Sequence, residues 1–151
     1  KAINGKKSLI VPKFFKGRDL SEIYGDIEAF EISFDMQETL SQSDFAFICS
    51  GTATLEAAII GTPFVLAYKA KKIDYFIGSQ VVKLSHVGLA NIIMDFEGKP
   101  PVHQEFLQDD VTAANLLNAY QTFDKASFST NAKALKDILQ HGSVDQIIKL
   151  F

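Results

Sequence analysis

Short apolar runs alternate with helical patterns along the first two thirds of this chain. Apolar runs at 8–12, 29–33, 45–49 and 64–68 are separated by polar or helical stretches. The run from Phe45 to Cys49 has no polar residue, which is typical of a strand buried on both faces of a parallel sheet. The pattern therefore predicts an α/β fold with a doubly wound parallel sheet.

The helical stretches between these runs carry recognisable start signals. Asp35 precedes a helix that we expect to end at Gln42, because a carboxylate at that position accepts hydrogen bonds from the free amides of the first turn. A brief helix is predicted over 19–24 and a longer one over 73–84. The apolar segment from Gly88 to Ile93 is interpreted as continuing the strand and helix alternation.

The character of the chain changes after the Pro- and Gly-containing segment at 97–101. From Asp110 onward the apolar positions recur at helical spacing only, and helices are predicted over 110–120, 126–140 and 144–151. We expect residues 1–109 to form a sheet domain that is truncated at its N-terminus. Residues 110–151 are expected to be C-terminal helices that pack on the same domain.

Composition narrows the function classes. The chain has 151 residues, of which 47% are hydrophobic and 22% are charged, with a net charge of -3. An acidic balance gives no general attraction to nucleic acid, and one cysteine with three scattered histidines predicts no metal site. No window approaches the roughly 20 apolar residues that span a bilayer. Since the first residues contain neither a start methionine nor a signal peptide, we expect a fragment of a longer protein.

The strongest candidate for chemistry is the turn Ser50–Thr54, which follows the third apolar run. Gly51 lets a ligand approach the backbone, and the hydroxyls of Ser50, Thr52 and Thr54, with the amides of a helix N-terminus, suit a diphosphate. Glu56, one turn into the helix between apolar neighbours, is expected to be buried and to accept hydrogen bonds from the hydroxyls of a ribose. The alternative, that these hydroxyls only cap the helix, has about equal weight.

The chain also carries a series of segments found together in one family. Ser50-Gly51-Thr52-Ala53-Thr54-Leu55-Glu56 is followed by Gly61 to Lys69, by Leu89 to Ile93 and by Glu105 to Gln108, and this order resembles lipid-A-disaccharide synthase. The resemblance implies the C-terminal, nucleotide-sugar-binding half of a GT-B glycosyltransferase, whose domains are Rossmann-like. Ala90 and Gln104 stand where the family has proline.

The resemblance implies a reaction and a site. Such enzymes transfer 2,3-diacylglucosamine from UDP-2,3-diacylglucosamine to 2,3-diacylglucosamine 1-phosphate, without a cofactor or metal ion. The general base is expected in the absent N-terminal half, so no catalytic residue is assigned here. The residues that the resemblance places around the substrate are Ser50, Gly51, Thr52, Ala53, Thr54, Glu56, Lys69, Asn91, Glu105 and Gln108.

The resemblance also implies a cytoplasmic enzyme at the inner membrane of a Gram-negative bacterium. Lys69, Lys71 and Lys72 precede an apolar helix, which suggests peripheral contact with anionic lipid, although a solvated lysine turn is the simpler interpretation. Two other functions stay open: a flavodoxin-like module that senses an anion without chemistry, and a different GT-B transferase or epimerase that uses a UDP-sugar.

Overall fold

The computed structural model describes residues 3–69 and 85–148, and it divides the chain into two compact units, Lys1–Ser43 and Asp44–Phe151. Each unit has parallel strands with helices, so the predicted α/β, Rossmann-like class is confirmed. The predicted helix at 73–84 lies outside the described residues. The grouping of residues 1–109 into one domain stays a prediction.

The first unit is built on two parallel strands. Strand β1 (Ser8–Ile10) pairs with β2 (Glu31–Ser33), with Ser8 opposite Glu31 and Ile10 opposite Ser33. A 3-10 turn (Lys13–Phe15) and helix α1 (Ser21–Tyr24) connect the strands, and helix α2 (Met36–Ser41) follows β2. Val11 and Leu40 are buried in its core.

Asp35 begins α2 as the sequence predicts. Its backbone is extended, and its side chain accepts a hydrogen bond from the amide of Glu38 at 2.9 Å. This bond satisfies one of the donors that have no partner within the helix. The capping prediction is therefore confirmed, with the helix ending at Ser41.

The second unit has a parallel sheet with the strand order β3-β4-β5. Its strands are β3 (Ala46–Ile48), β4 (Phe64–Tyr68) and β5 (Glu105–Leu107). The helices described around them are α3 (Gly51–Ile60), α4 (Leu89–Phe96), α5 (Ala113–Gln121) and α6 (Lys125–Ile148), with a 3-10 turn at Gln108–Asp110.

The core of the second unit lies between β4 and the helices. Phe64 and Leu66 of β4 are almost fully buried, as are Ala57 of α3, Met94 of α4 and Leu135 of α6. Helix α6 contacts both α3 and α4, and α5 contacts β4. The C-terminal helices thus pack on the unit that contains the candidate turn.

Three details of the predicted elements are wrong. The segment after Gly88 is a helix rather than a strand, because the short apolar run has helical backbone through Phe96. Strand β5 was not predicted. The last two predicted helices are one helix, α6, which continues through Gly142. A single glycine lowers helix stability by only about 1 kcal/mol, so a long helix can contain it.

Candidate functional site

The carboxyl ends of three parallel strands place predicted site residues at one edge of the sheet. Ile48 pairs with Leu66, and Tyr68 pairs with Leu107. Ser50, Lys69 and Gln108 follow β3, β4 and β5 respectively. Ligands of open parallel sheets bind at this edge, because the turns there present amides and helix N-termini.

The N-cap residue of α3 makes no side-chain capping bond within the part of the chain that the structure describes. Ser50 is the N-cap residue, with extended backbone (φ -135°, ψ 131°), and its exposed side chain makes no capping hydrogen bond. The first amides of a helix have no partner within it and carry partial positive charge. The interpretation of Ser50 as only a cap is therefore not supported, and Ser50 is an exposed residue directly before these amides.

Gly51 is required by packing inside the protein. A Cβ atom on Gly51 would lie 2.7 Å from the carbonyl oxygen of Val87, which is too close for any side chain without a backbone shift. Its φ is not positive. The space next to the missing Cβ, where we expected a ligand, is thus occupied by the loop before α4. The amide of Gly51 is a separate group, and its role stays a prediction.

Glu56 is exposed, so the prediction that it is buried is wrong. Helix α3 turns Thr54, Ala57 and Ala58 towards the core, all at 0% exposure. Thr52 and Glu56, four residues apart, lie on the opposite, exposed face. The Glu56 carboxylate is therefore available to a ligand on the same face as the first turn of α3.

Thr54 is a link between two helices. Its hydroxyl donates to the carbonyl of Gly51 at 2.5 Å and accepts from the amide of Ala90 at 3.3 Å. The side chain is fully buried. The expectation that this hydroxyl donates to phosphate oxygens is corrected, because in this structure it donates its hydrogen bond to the Gly51 carbonyl.

Asn91 is buried at 0% exposure, and its side-chain amide is fully used inside the protein. The oxygen accepts from the amides of Val102 (2.8 Å) and His103 (3.3 Å), while the nitrogen donates to the His103 carbonyl (2.9 Å) and to Glu105 Oε1 (2.8 Å). An amide side chain has two donors and two acceptor positions. Asn91 consequently fixes the segment before β5 rather than offering a free group to a ligand.

Glu105 closes the N-terminus of α4. Its Oε2 accepts from the amide of Val87 at 2.8 Å, and its Oε1 accepts from the amide of Gly88 at 3.1 Å as well as from Asn91. The side chain is 8% exposed. A carboxylate that accepts three hydrogen bonds at a helix N-terminus is well stabilised there. Glu105, predicted to contact substrate, is thus engaged within the protein.

Two histidines flank this carboxylate. His86 Nδ1 lies 3.6 Å from Glu105 Oε1, and His103 Nε2 lies 4.0 Å from the same atom. Burial lowers the pKa of His103 below its ordinary value, against the raising effects of its hydrogen bond to the Gln104 carbonyl and of the Glu105 charge. The ring is therefore neutral, donates from Nδ1 to that carbonyl at 3.1 Å and packs against Phe64.

Gln108 has two unusual features at the carboxyl end of β5. Its φ is +51°, a left-handed backbone conformation that residues other than glycine rarely adopt. Its side-chain nitrogen is buried and has no hydrogen-bond partner within the part of the chain that is described. Such a nitrogen is costly to leave unpaired, so a ligand that accepts a hydrogen bond would stabilise it.

The remaining predicted residues are exposed or lie outside the described part. Lys69 is exposed just after β4, whereas Lys71, Lys72 and the apolar helix beyond them are outside the described residues. Over 3–69 and 85–148, no group of three or more His, Cys, Asp or Glu side chains is arranged to hold a metal ion. The helices described there are all too short or too polar to cross a bilayer.

Comparison with known proteins decides the family. The sequence model of the lipid-A-disaccharide synthetase family matches residues 7–147. The chain belongs to this family. Among curated proteins, it is 53% identical over 146 residues to a lipid-A-disaccharide synthase of Campylobacter jejuni and 45% identical over 150 residues to one of Helicobacter pylori. No solved structure matches the chain.

The chain corresponds to less than half of these synthases. The two alignments cover 97% and 94% of the chain, but only 40% of the Campylobacter protein and 42% of the Helicobacter protein. The family resemblance expected from the sequence is confirmed.

Sequence reasoning missed the hydrogen-bond network around Glu105 at the N-terminus of α4. His103 and the amides of Val87 and Gly88 complete the set of contacts around Glu105, and none of them was selected from the sequence. One signal was present: Gly88 precedes an apolar helix, and a Cβ there would lie 2.7 Å from the His103 ring. A glycine at that position indicates close packing.

Proposed function

We propose that the intact synthase containing this chain transfers 2,3-diacylglucosamine from UDP-2,3-diacylglucosamine to 2,3-diacylglucosamine 1-phosphate, and that this chain supplies the UDP-binding side. Family membership supports the reaction class. The acceptor hydroxyl replaces UDP at the anomeric carbon, its proton passes to a general base, and UDP leaves with the bonding electrons. The products are a β-1,6-linked disaccharide phosphate and UDP.

The uncapped N-terminus of α3 is the observation that carries this proposal. The amides of Gly51, Thr52 and Ala53 begin the helix directly after Ser50, whose hydroxyl makes no capping bond. Diphosphate oxygens fit such a helix end because they accept hydrogen bonds and carry negative charge. In this proposal the amides and the Ser50 and Thr52 hydroxyls bind the diphosphate.

Residues around this turn complete the proposed donor site. Glu56, exposed on the same face as Thr52, accepts hydrogen bonds from the ribose hydroxyls. Gln108 donates its unpaired side-chain nitrogen, and Lys69 adds positive charge at the end of the neighbouring strand. Because they act on the departing UDP, these groups lower the barrier by stabilising the charge that develops on it.

Three predicted contact residues take a supporting role in this proposal. Thr54, Asn91 and Glu105 use their polar atoms inside the protein, and Thr54 and Asn91 are fully buried. Thr54 joins Gly51 to the first turn of α4, and Glu105 holds the loop whose carbonyl packs against Gly51. They are positioning residues, which fix the α3 turn.

The general base and the acceptor site belong to the remainder of the synthase in this proposal. The proposed mechanism involves no cofactor or metal ion. We also propose that the enzyme is cytoplasmic and in peripheral contact with the inner membrane. The lipid in the family's name supports this location, since an acylated sugar partitions into a membrane.

Donor binding and turnover test the proposal. UDP is titrated calorimetrically into the chain, and the intact synthase is assayed for disaccharide and UDP release. We expect weak UDP binding and no turnover by the chain alone. Turnover by the chain alone would contradict the proposal, because it would show that the general base lies in this chain. Inorganic phosphate that binds as tightly as UDP would favour an anion sensor.

Glu56→Gln separates a ligand role from a structural one. In the intact synthase, we expect this variant to bind UDP about tenfold more weakly, since it loses charge-assisted hydrogen bonds, and to melt unchanged because Glu56 is exposed. Glu97→Gln, at another exposed glutamate beyond α4, is the matched control with unchanged affinity. An early melt with normal UDP affinity would assign Glu56 a structural role.

A further inference from the structure

We propose that the loop Lys13–Arg18, called here the basic aromatic loop, docks on the surface of an anionic lipid bilayer. This inference rests on the proposed membrane contact of the synthase and names a surface for it. The loop lies in the first unit, within residues that are fully described.

The loop presents aromatic rings to solvent on an ordered turn. Phe14 is 69% exposed, and its ring centroid lies 4.2 Å from that of Phe15. Backbone hydrogen bonds from Phe15 to Pro12, from Lys16 to Lys13 and from Arg18 to Phe15 hold the turn. The rings are consequently held in place before any partner binds, which reduces the entropy lost on docking.

Positive charge surrounds these rings. Lys13, Lys16 and Arg18 are all exposed, and none of them is in an ion pair within the described residues. The Arg18 guanidinium lies 5.6 Å from the centroid of the Phe15 ring. No acidic residue occurs before Asp19 in the sequence, whereas from Asp19 to Tyr68 every charged side chain is acidic. Three of the six lysine and arginine residues of this unit thus lie within the six-residue loop.

This combination favours a bilayer over other partners. At a membrane interface, lysine and arginine bind phosphate headgroups while a phenyl ring enters the boundary with the acyl chains. A partner that is attracted by charge alone would bind the cations without needing Phe14. The net charge of -3 also shows that the attraction must be local.

Phe96 provides an internal contrast. It is even more exposed, at 78%, but it lies between Asp95 and Glu97. An anionic surface repels that neighbourhood, so ring exposure alone does not select a docking surface. The charge around the ring distinguishes the basic aromatic loop from Phe96.

Vesicle sedimentation of the chain tests the inference. The probes are vesicles of phosphatidylcholine alone and of phosphatidylcholine mixed with phosphatidylglycerol. We expect binding only to the mixed vesicles. Phe14→Ser should weaken the partition coefficient about tenfold through lost apolar contact. The double variant Lys13→Gln, Lys16→Gln should weaken it about 25-fold, at roughly fivefold per lysine. Phe96→Ser is the matched control with unchanged partition.

The outcomes distinguish this inference from the donor-site proposal. All variants should melt as the unchanged chain does, because the altered side chains are exposed. No binding to mixed vesicles, or binding that Phe14→Ser leaves intact, would overturn the inference, the latter showing a purely electrostatic contact. UDP titration of the same samples is a separate measurement, and its result does not depend on Phe14.

Discussion

The N-termini of α3 and α4 lie next to each other but differ in how their amides are satisfied. At α4, Glu105 accepts from the amides of Val87 and Gly88, and Thr54 accepts from the amide of Ala90. At α3, the N-cap residue Ser50 makes no capping bond. Neither N-cap residue has a side-chain cap, but among the described residues Thr54 and Glu105 accept hydrogen bonds from amides at the α4 end, and no side chain is recorded doing so at the α3 end.

The difference supports the proposal that the α3 end binds an anion. Both helix ends have the same partial charge, but an internal carboxylate has already neutralised one of them. The closed end still contributes, because the carbonyl of Val87 packs against Gly51 and Thr54 bridges the two helices. The α4 end thereby helps to fix the backbone of the α3 turn.

Of the substitutions at the two helix ends, removal of the Glu105 carboxylate should lower the free energy of unfolding most. Glu105→Ala leaves the amides of Val87 and Gly88 and the Asn91 nitrogen without their acceptor, in a place where the side chain is 8% exposed. We expect the free energy of unfolding to fall by about 3 kcal/mol, measured by urea denaturation. Glu105→Gln keeps an acceptor oxygen and should lose less. An unchanged midpoint for Glu105→Ala would show that the α4 end does not need closing.

Adding a side chain to Gly51 tests the packing of the two ends. Gly51→Val places a Cβ atom 2.7 Å from the Val87 carbonyl oxygen, so one backbone must move. Thermal and urea unfolding should show a loss of about 1–3 kcal/mol. The control is Thr52→Val, which replaces a hydroxyl with a methyl group at the exposed neighbouring position and should change stability little. Equal stability of the Gly51 and Thr52 variants would contradict the close packing.

A smaller effect is expected from the pH dependence of the closed end. The pKa of His103 is lowered by burial, so the unfolded chain binds a proton more readily than the folded one when the pH falls below the ordinary histidine value of 6.5. Stability from this group is complete above that pH and is lost as the pH falls below it. His103→Phe, which keeps a ring against Phe64, should flatten the slope of unfolding free energy between pH 7 and pH 5. An identical slope in both proteins would refute this.

Local signals predicted part of the fold correctly. Asp35 begins α2 as an N-cap, and the apolar run 64–68 is β4 over the same residues. The segment after Gly88 was misread because a short apolar run fits a strand or a buried helix equally well by periodicity. Strand β5 begins with Glu105 and is flanked by Gln104 and Gln108, so it has no apolar run like those that predicted the other strands.

The candidate site was less predictable than the fold. The position of the α3 turn followed from strand order, but the engagement of Glu105 and Asn91 depends on contacts with residues 11 to 18 positions away in the chain. Glu56 was expected to be buried because α3 is apolar in composition, yet Thr54, Ala57 and Ala58 are sufficient to fill its core face. Composition of a helix does not show which way one side chain points.

Amide NMR of the chain during a UDP titration tests the central claim most directly. We expect the largest shift changes at the amides of Gly51, Thr52 and Ala53, because the uncapped α3 end binds the diphosphate. The Gly88 amide, already bonded to Glu105, should change much less. Uridine, which lacks phosphate, is the control and should leave all four amides nearly unshifted. Unchanged amides at 51–53 with UDP, or equal shifts with uridine, would contradict the account.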